Sequence, residues 1–182
     1  MIFQIDYMSS GLYDDYFYRN SSLCSSLDYF VYRDDDIQKF LCKYGYTDIF
    51  YTKVVDGSCI LRERPIRCAL LRLMILYEIG GIYVDADTLF TENITKLEED
   101  LISRYGDRNI VLDTRSLYFI KGVKGSKYIK YLLDLYINCD TMKTDVVMNS
   151  RQRILGFEKE LVVVPKSYID TYFYHQSLHA IR

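Results

Sequence analysis

Apolar positions along this chain fall into short runs separated by polar turns, and their spacing alternates between two periods. Ile2 to Ile5 is a short apolar run, and Asp28-Tyr29-Phe30-Val31-Tyr32 is a second, rich in strand formers, before the acidic turn Arg33-Asp34-Asp35-Asp36. Both predict buried strands, with a helix expected between them around Leu12 to Leu23. Asp36 is placed to cap a helix over Ile37 to Tyr44, where Ile37, Phe40, Leu41 and Tyr44 recur at helical spacing, and Gly45 is placed to end it. Pro65 suits the first turn of a helix over residues 65 to 79, Gly80-Gly81 stops it, and Ile82-Tyr83-Val84 follows as a strand. Asn109 to Leu112 and Leu117 to Ile120 read as strands, Lys127 to Asn138 as an amphipathic helix, and Leu161 to Val164 as a strand before Pro165. Strands interleaved with helices predict an α/β fold, a mostly parallel mixed sheet flanked by helices.

Composition narrows this without redirecting it. The chain has 182 residues with only two prolines, no Ser/Gly linker and no repeat, so residues 1–182 are expected to form one compact domain. Lys plus Arg number 23 against 25 Asp plus Glu, for a net charge of −2, and no cluster of basic residues marks a nucleic-acid surface. The five cysteines are odd in number, irregularly spaced and lack a C-x-x-C pair, which fits reduced thiols and a reducing, cytoplasmic compartment. Residues 1 to 6 meet an acid at Asp6 and do not read as a signal peptide. The longest apolar stretch, Ile66 to Ile79, is interrupted by Arg67, Arg72 and Glu78 and is too short to span a bilayer. There are 19 tyrosines and no tryptophan, which suits aromatic sugar stacking or reflects genome base composition.

Chemistry concentrates at Asp85-Ala86-Asp87. A nearly all-apolar helix, Gly-Gly, a three-residue strand and then D-x-D put two carboxylates at the carboxyl end of a central strand, where open α/β sheets bind ligands. In an extended chain residues i and i+2 point the same way, so Asp85 and Asp87 can converge on one hard divalent cation. Two carboxylates leave coordination positions for phosphate oxygens, which suits Mg²⁺ or Mn²⁺. Taken alone, D-x-D is also a common surface turn. Its setting adds weight, because Arg72 lies on a buried helix and a buried guanidinium needs an anion. That anion is an internal acid such as Glu78 or the phosphate of a ligand.

The segment Ala69-Leu-Leu-Arg72-Leu-Met-Ile-Leu-Tyr-Glu-Ile-Gly80-Gly81-Ile-Tyr83-Val-Asp85-Ala86-Asp87-Thr88 resembles the sugar-binding D-x-D region of GT-A glycosyltransferases. The group is that of the family 32 mannosyl- and galactosyltransferases and the catalytic domains of large clostridial glucosylating toxins, with the pattern S-D-x-x-R-x-x-x-L-x-x-x-G-G-x-Y-x-D-x-D. Phe3-Gln4-Ile5-Asp6 resembles the family's opening H-x-I-W strand, and Tyr174-His175-Gln176-Ser177-Leu178-His179 its closing I-H-x-x-x-S-W segment. The resemblance implies a single GT-A (Rossmann-like) domain that moves a sugar from a nucleotide-diphosphate donor to a hydroxyl of a glycan or protein acceptor. It implies Asp85, Asp87 and His175 as ligands of Mn²⁺ or Mg²⁺, with His179 the alternative imidazole. Asp85, Asp87 and Arg72 would serve catalysis, and Ile5, Asp6, Tyr7, Arg72, Tyr83, Asp85 and Ala86 would contact nucleotide and sugar. The relatives retain anomeric configuration, so retention is expected here too. An inverting enzyme would need a carboxylate base, for which Asp113, Asp145 and Asp170 are available.

Departures from the pattern bear on selectivity. Ala69 stands where the family has an Asp expected to hold ribose or base, and Asp6 stands where it has the base-stacking Trp. Tyr7 is then the candidate stacking ring and Asp6 a candidate hydroxyl contact. The length is short for a GT-A enzyme and suits a viral or phage protein or one module of a longer polypeptide. Two other classes compete with an active transferase. One is a non-catalytic GT-A-like module that binds a nucleotide sugar or glycan or serves structurally. The other is a different metal-dependent phosphoryl enzyme, which no G-x-G or P-loop signature supports.

Overall fold

The structure, a computed structural model, describes residues 1–7, 11–52, 60–112, 118–138 and 156–175. Its centre is a six-stranded sheet of β1 (Ile2–Asp6), β2 (Tyr29–Arg33), β3 (Gly81–Val84), β5 (Asn109–Leu112), β6 (Phe119–Gly122) and β7 (Leu161–Val164), in the order β2-β1-β3-β6-β5-β7. β1 pairs in parallel with β2 and β3, and β5 with β7, whereas β6 runs antiparallel to both β3 and β5. One strand is therefore reversed in an otherwise parallel sheet, the mixed arrangement expected. A separate antiparallel pair joins β4 (Thr88–Phe90) to β8 (Phe173–His175), with Thr88 opposite His175.

Alternation along the strands sends consecutive side chains into two cores. Phe3, Ile5, Tyr83, Val111 and Ile120 face one cluster with Leu70, Leu71, Leu73 and Met74 of helix α4 (Ile60–Glu78) and Leu132 and Leu133 of α6 (Lys127–Asn138). Ile2, Ile82, Val84, Ile110 and Phe119 face the other. There they meet Ile94 of the 3-10 turn Glu92–Lys96, Leu97 and Leu101 of α5 (Leu97–Tyr105), Ile169 of α7 (Lys166–Ile169) and Phe173. Covering both faces is what apolar strand runs such as Ile2–Asp6 require, since each fully buried Leu, Ile or Phe contributes about 1.5–3 kcal/mol.

The helices start differently from expectation at two places. Helix α2 (Asp34–Tyr44) opens on Arg33, and Asp36 sits in its first turn, where its carboxylate accepts from the Arg33 N–H at 3.5 Å. Asp36 thus acts as the returning half of a capping box rather than as the cap itself. Gly45, at φ 74°, ends the helix while Tyr46 N–H reaches back to Leu41 O at 2.9 Å. Helix α4 begins at Ile60, so Pro65 stands inside it and removes one backbone hydrogen bond. Its end is set by Gly80 and Gly81 at φ 81° and 111°. A Cβ on Gly81 would lie 2.8 Å from Met1 O, the carbonyl that accepts from Ile82 N–H at 3.0 Å. The missing side chain is what lets β3 close against β1. Of helices α1 (Asp14–Leu23) and α3 (Thr47–Thr52), the first pairs Asp14 with Arg33 at the end of β2 at 2.7 Å, and the second packs Phe50 on Tyr7, just past β1, at 5.6 Å.

Candidate functional site

Strand β3 ends at Val84, and the next four residues close a turn in which Thr88 N–H donates to Asp85 O at 3.2 Å. The D-x-D pair is therefore carried on a β-turn, not on extended chain. The expected same-side projection of two residues in a strand does not apply to it. Asp85, Ala86 and Asp87 are each half-buried at this turn.

Asp85 is fixed from several directions. Its N–H donates to Tyr118 O at 2.9 Å, and its carbonyl accepts from Gln4 Nε2 at 2.7 Å. Tyr83 Oη donates to its Oδ1 at 2.7 Å, and Arg72 Nη1 stands 3.9 Å from the same oxygen. The Arg72 guanidinium lies over the Tyr83 ring, 5.4 Å from its centroid, a cation–π placement. The internal acid that answers Arg72 is thus the first carboxylate of D-x-D. Glu78, the other acid considered, instead accepts from Tyr46 Oη at 2.6 Å. Burial works against the Arg72 charge, but Tyr83, Asp85 and a hydrogen bond to Tyr136 outweigh it and hold its pKa above the ordinary value. Burial, with the Asp85 charge beside it, pushes the Tyr83 phenol well above its usual range, so it remains a donor.

The first-strand candidates divide. Ile5 is buried in the core, 3% exposed, so its side chain is not presented to a ligand, and a contact from this position would come through main chain. Tyr7 is 7% exposed, packed edge-on against Phe50 at 5.6 Å, and accepts from Arg67 Nη1 at 3.1 Å. Its ring is enclosed by protein rather than offered as an open stacking platform. Asp6 is 6% exposed, and among the described residues its buried Oδ1 meets no hydrogen-bond donor. Ala69 is buried on α4.

At the far end of the chain, β8 brings the backbone of His175 opposite Thr88, next to the second acid of D-x-D. The His175 side chain, His179, Asp113 and Asp145 lie outside what is described. Asp170 accepts from Tyr118 Oη at 2.9 Å and pairs with Lys166 at 2.8 Å. Among the described residues no three His, Cys, Asp or Glu side chains form a metal-binding group.

Two features escaped the sequence reading. Arg67, one and a half turns before Arg72, is 8% exposed and held among the rings of Tyr7, Phe50 and Tyr51 at 6.0, 5.3 and 5.4 Å. The signal for it was a second arginine on the same apolar helix. The other feature is a buried polar cluster behind the D-x-D turn. Asn20 Nδ2 donates to Gln4 Oε1 and to Thr88 O, both at 2.9 Å, while its Oδ1 accepts from Phe90 N–H at 2.8 Å. Tyr29 Oη donates to Gln4 Oε1 at 2.6 Å. The only hint of this was a Gln between two apolar residues of a buried strand.

With that geometry in hand, the comparisons are consistent with one another. Residues 21–105, which include Arg72 and the D-x-D turn, match the family described as the glycosyltransferase sugar-binding region containing DXD motif. A solved structure titled PaToxG Glycosyltransferase superposes with a TM-score of 0.52 at 14% sequence identity, covering 84% of this chain. This chain spans 66% of that one, just under two thirds of its length. No curated protein matches the chain. Residues 21–105 are thus similar to the D-x-D sugar-binding region of glycosyltransferases, and the chain shares the fold of a glycosyltransferase structure. No helix among the described residues is long and apolar enough to cross a membrane.

Proposed function

We propose that residues 1–182 act as one GT-A-like domain transferring a hexosyl group from a nucleotide-diphosphate sugar to a hydroxyl of a glycan or protein acceptor. The observation that carries this reading is the contact of Arg72 with Asp85 at 3.9 Å, a protonated guanidinium brought to the first acid of a D-x-D turn at the strand ends. Two half-buried carboxylates on one turn are an oxygen donor set suited to a hard cation. Asp85 and Asp87 would hold Mn²⁺ or Mg²⁺, with His175 as further ligand. Such a cation neutralises the charge on a departing diphosphate.

The chain's own residues supply the rest. Arg72 adds positive charge beside the leaving group, and Tyr83 keeps the Asp85 carboxylate in one orientation. The Asp6 oxygen, without a donor among the described residues, is a ready acceptor for a ribose hydroxyl or base N–H, which would replace the missing Trp and Ala69's missing carboxylate. Ala86 and the main chain at Ile5 would line the donor. Retention of anomeric configuration is the expected stereochemistry. The reduced-thiol pattern suits a reducing compartment such as the cytoplasm.

A thermal-shift panel of UDP-, GDP- and dTDP-sugars with and without Mn²⁺ tests the reading, because a ligand that binds only the folded state raises Tm. A Mn²⁺-dependent shift with one nucleotide class, followed by hydrolysis of that donor, is the expected result. Silence across the panel would favour the second reading, a non-catalytic module, which Ala69 and the enclosed Tyr7 ring already support.

A further inference from the structure

We propose that Gln4, Asn20 and Tyr29 are positioning residues that set the D-x-D turn from behind, acting on its backbone and not on the ligand. The inference rests on the reading of that turn as the cation and donor site. Gln4 and Asn20 are both 0% exposed, yet neither belongs to the sugar-binding segment, since β1 and α1 contribute them from other parts of the chain.

The two carboxamides grip the turn at both ends. Gln4 Nε2 donates to Asp85 O at 2.7 Å and lies 3.4 Å from Thr88 O, so one amide group bridges the carbonyls that flank the second acid. Asn20 then takes Thr88 O and the N–H of Phe90 together, as a neighbouring strand would, and pins the first residues of β4. Their mutual bond and the Tyr29 hydroxyl saturate Gln4 Oε1, which orients the Gln4 amide with its N–H groups toward the turn. A carboxamide is required at both positions, because each must donate and accept at once. Leucine or methionine fills the space but strands buried carbonyls, and aspartate or glutamate sets oxygen against oxygen.

Such groups do for a ligand-bearing turn what outer partners do for metal-bound side chains. Losing them typically weakens metal affinity by about 10–100-fold while the ligands themselves remain. The experiment is direct titration of Mn²⁺ alone, followed by loss of its free-ion EPR signal, at a temperature where circular dichroism shows each variant folded. Gln4→Met is expected to raise the Mn²⁺ Kd by about tenfold or more. Asn20→Leu is expected to do the same, and the two together little more than either, because both hold one turn. Tyr29→Phe, which removes only a hydroxyl and is the variant safest to fold, is expected to give a smaller rise and faster exchange of the Thr88 amide proton.

Asp87→Asn separates the two levels of the argument. If it abolishes Mn²⁺ binding while Gln4→Met and Tyr29→Phe leave Kd and Thr88 exchange unchanged, the positioning role is overturned and the D-x-D reading stands. If Asp87→Asn leaves Mn²⁺ binding unchanged, both fall. A purely structural cluster would lower Tm in these variants without moving the Kd of the folded protein.

Discussion

Tyr83 and Asp85, two positions apart at the end of one strand, are joined side chain to side chain, the phenol donating to the carboxylate at 2.7 Å beneath the Arg72 guanidinium. An acid that would otherwise swing at the edge of a turn is thereby tied to two buried groups, and its role is as much structural as chemical. Replacing Asp85 should therefore cost stability as well as binding.

Asp85→Asn removes the counter-charge of a mostly buried arginine, and about 1–3 kcal/mol of stability should go with it. Asp87→Asn tests the second acid of the turn. Both should abolish Mn²⁺-dependent donor binding. Thermal denaturation beside a binding isotherm separates the two effects.

Arg72→Ala should weaken affinity for a nucleotide diphosphate by about tenfold, the loss of one charge-assisted contact. It should also lower Tm, because Asp85 and Tyr83 both face the vacated space. A lower Tm with diphosphate affinity unchanged would restrict Arg72 to the internal ion pair.

Gly81→Ala should be among the more damaging small substitutions in the chain. Its φ of 111° disfavours any side chain, and the new Cβ would meet backbone oxygen 2.8 Å away. A cost of roughly 2–4 kcal/mol is expected, read as a fall in denaturation midpoint with little change in slope.

How far this architecture could be read beforehand depended on how local each cause was. β5, β7 and α6 came out with the limits expected, since each is a run of one period bounded by turn residues. β4 and β8, three residues each, were not anticipated. Neither has a period of its own, and they exist because they pair with each other from opposite ends of the chain. Helix α5 was passed over although Glu98, Glu99 and Asp100 fill its first turn and Leu97 and Leu101 lie on one face. The site followed the same division. Arg72, Tyr83 and Asp85, whose side chains meet, sit within one continuous segment, whereas Gln4, Asn20 and Tyr29 converge from separate elements. Tyr7 looked like an open ring because its neighbours Phe50 and Arg67 arrive from distant parts of the sequence.

Thiol reactivity offers a check on the packing. Burial pushes the Cys24 thiol up to about 11, so at pH 8 it holds very little thiolate, and it is also hidden from reagent. Cys42 is exposed. Alkylation with iodoacetamide, mapped by mass spectrometry, should therefore modify Cys42 well before Cys24. The Cys24 rate should climb as pH rises toward 11.

The pairing of β4 with β8 has a consequence for how the protein comes into being. The strand leaving the D-x-D turn finds its partner only when residues near His175 arrive, among the most distant pairings in the chain. Contacts between such remote segments form late in folding because a large loop must close first. Until then Thr88 to Phe90 presents an unprotected strand edge, the kind of surface through which nascent chains stick to one another. A ribosome stalled ahead of Phe173 would thus hold a chain whose sheet core is already encoded but whose D-x-D corner is still open to aggregation.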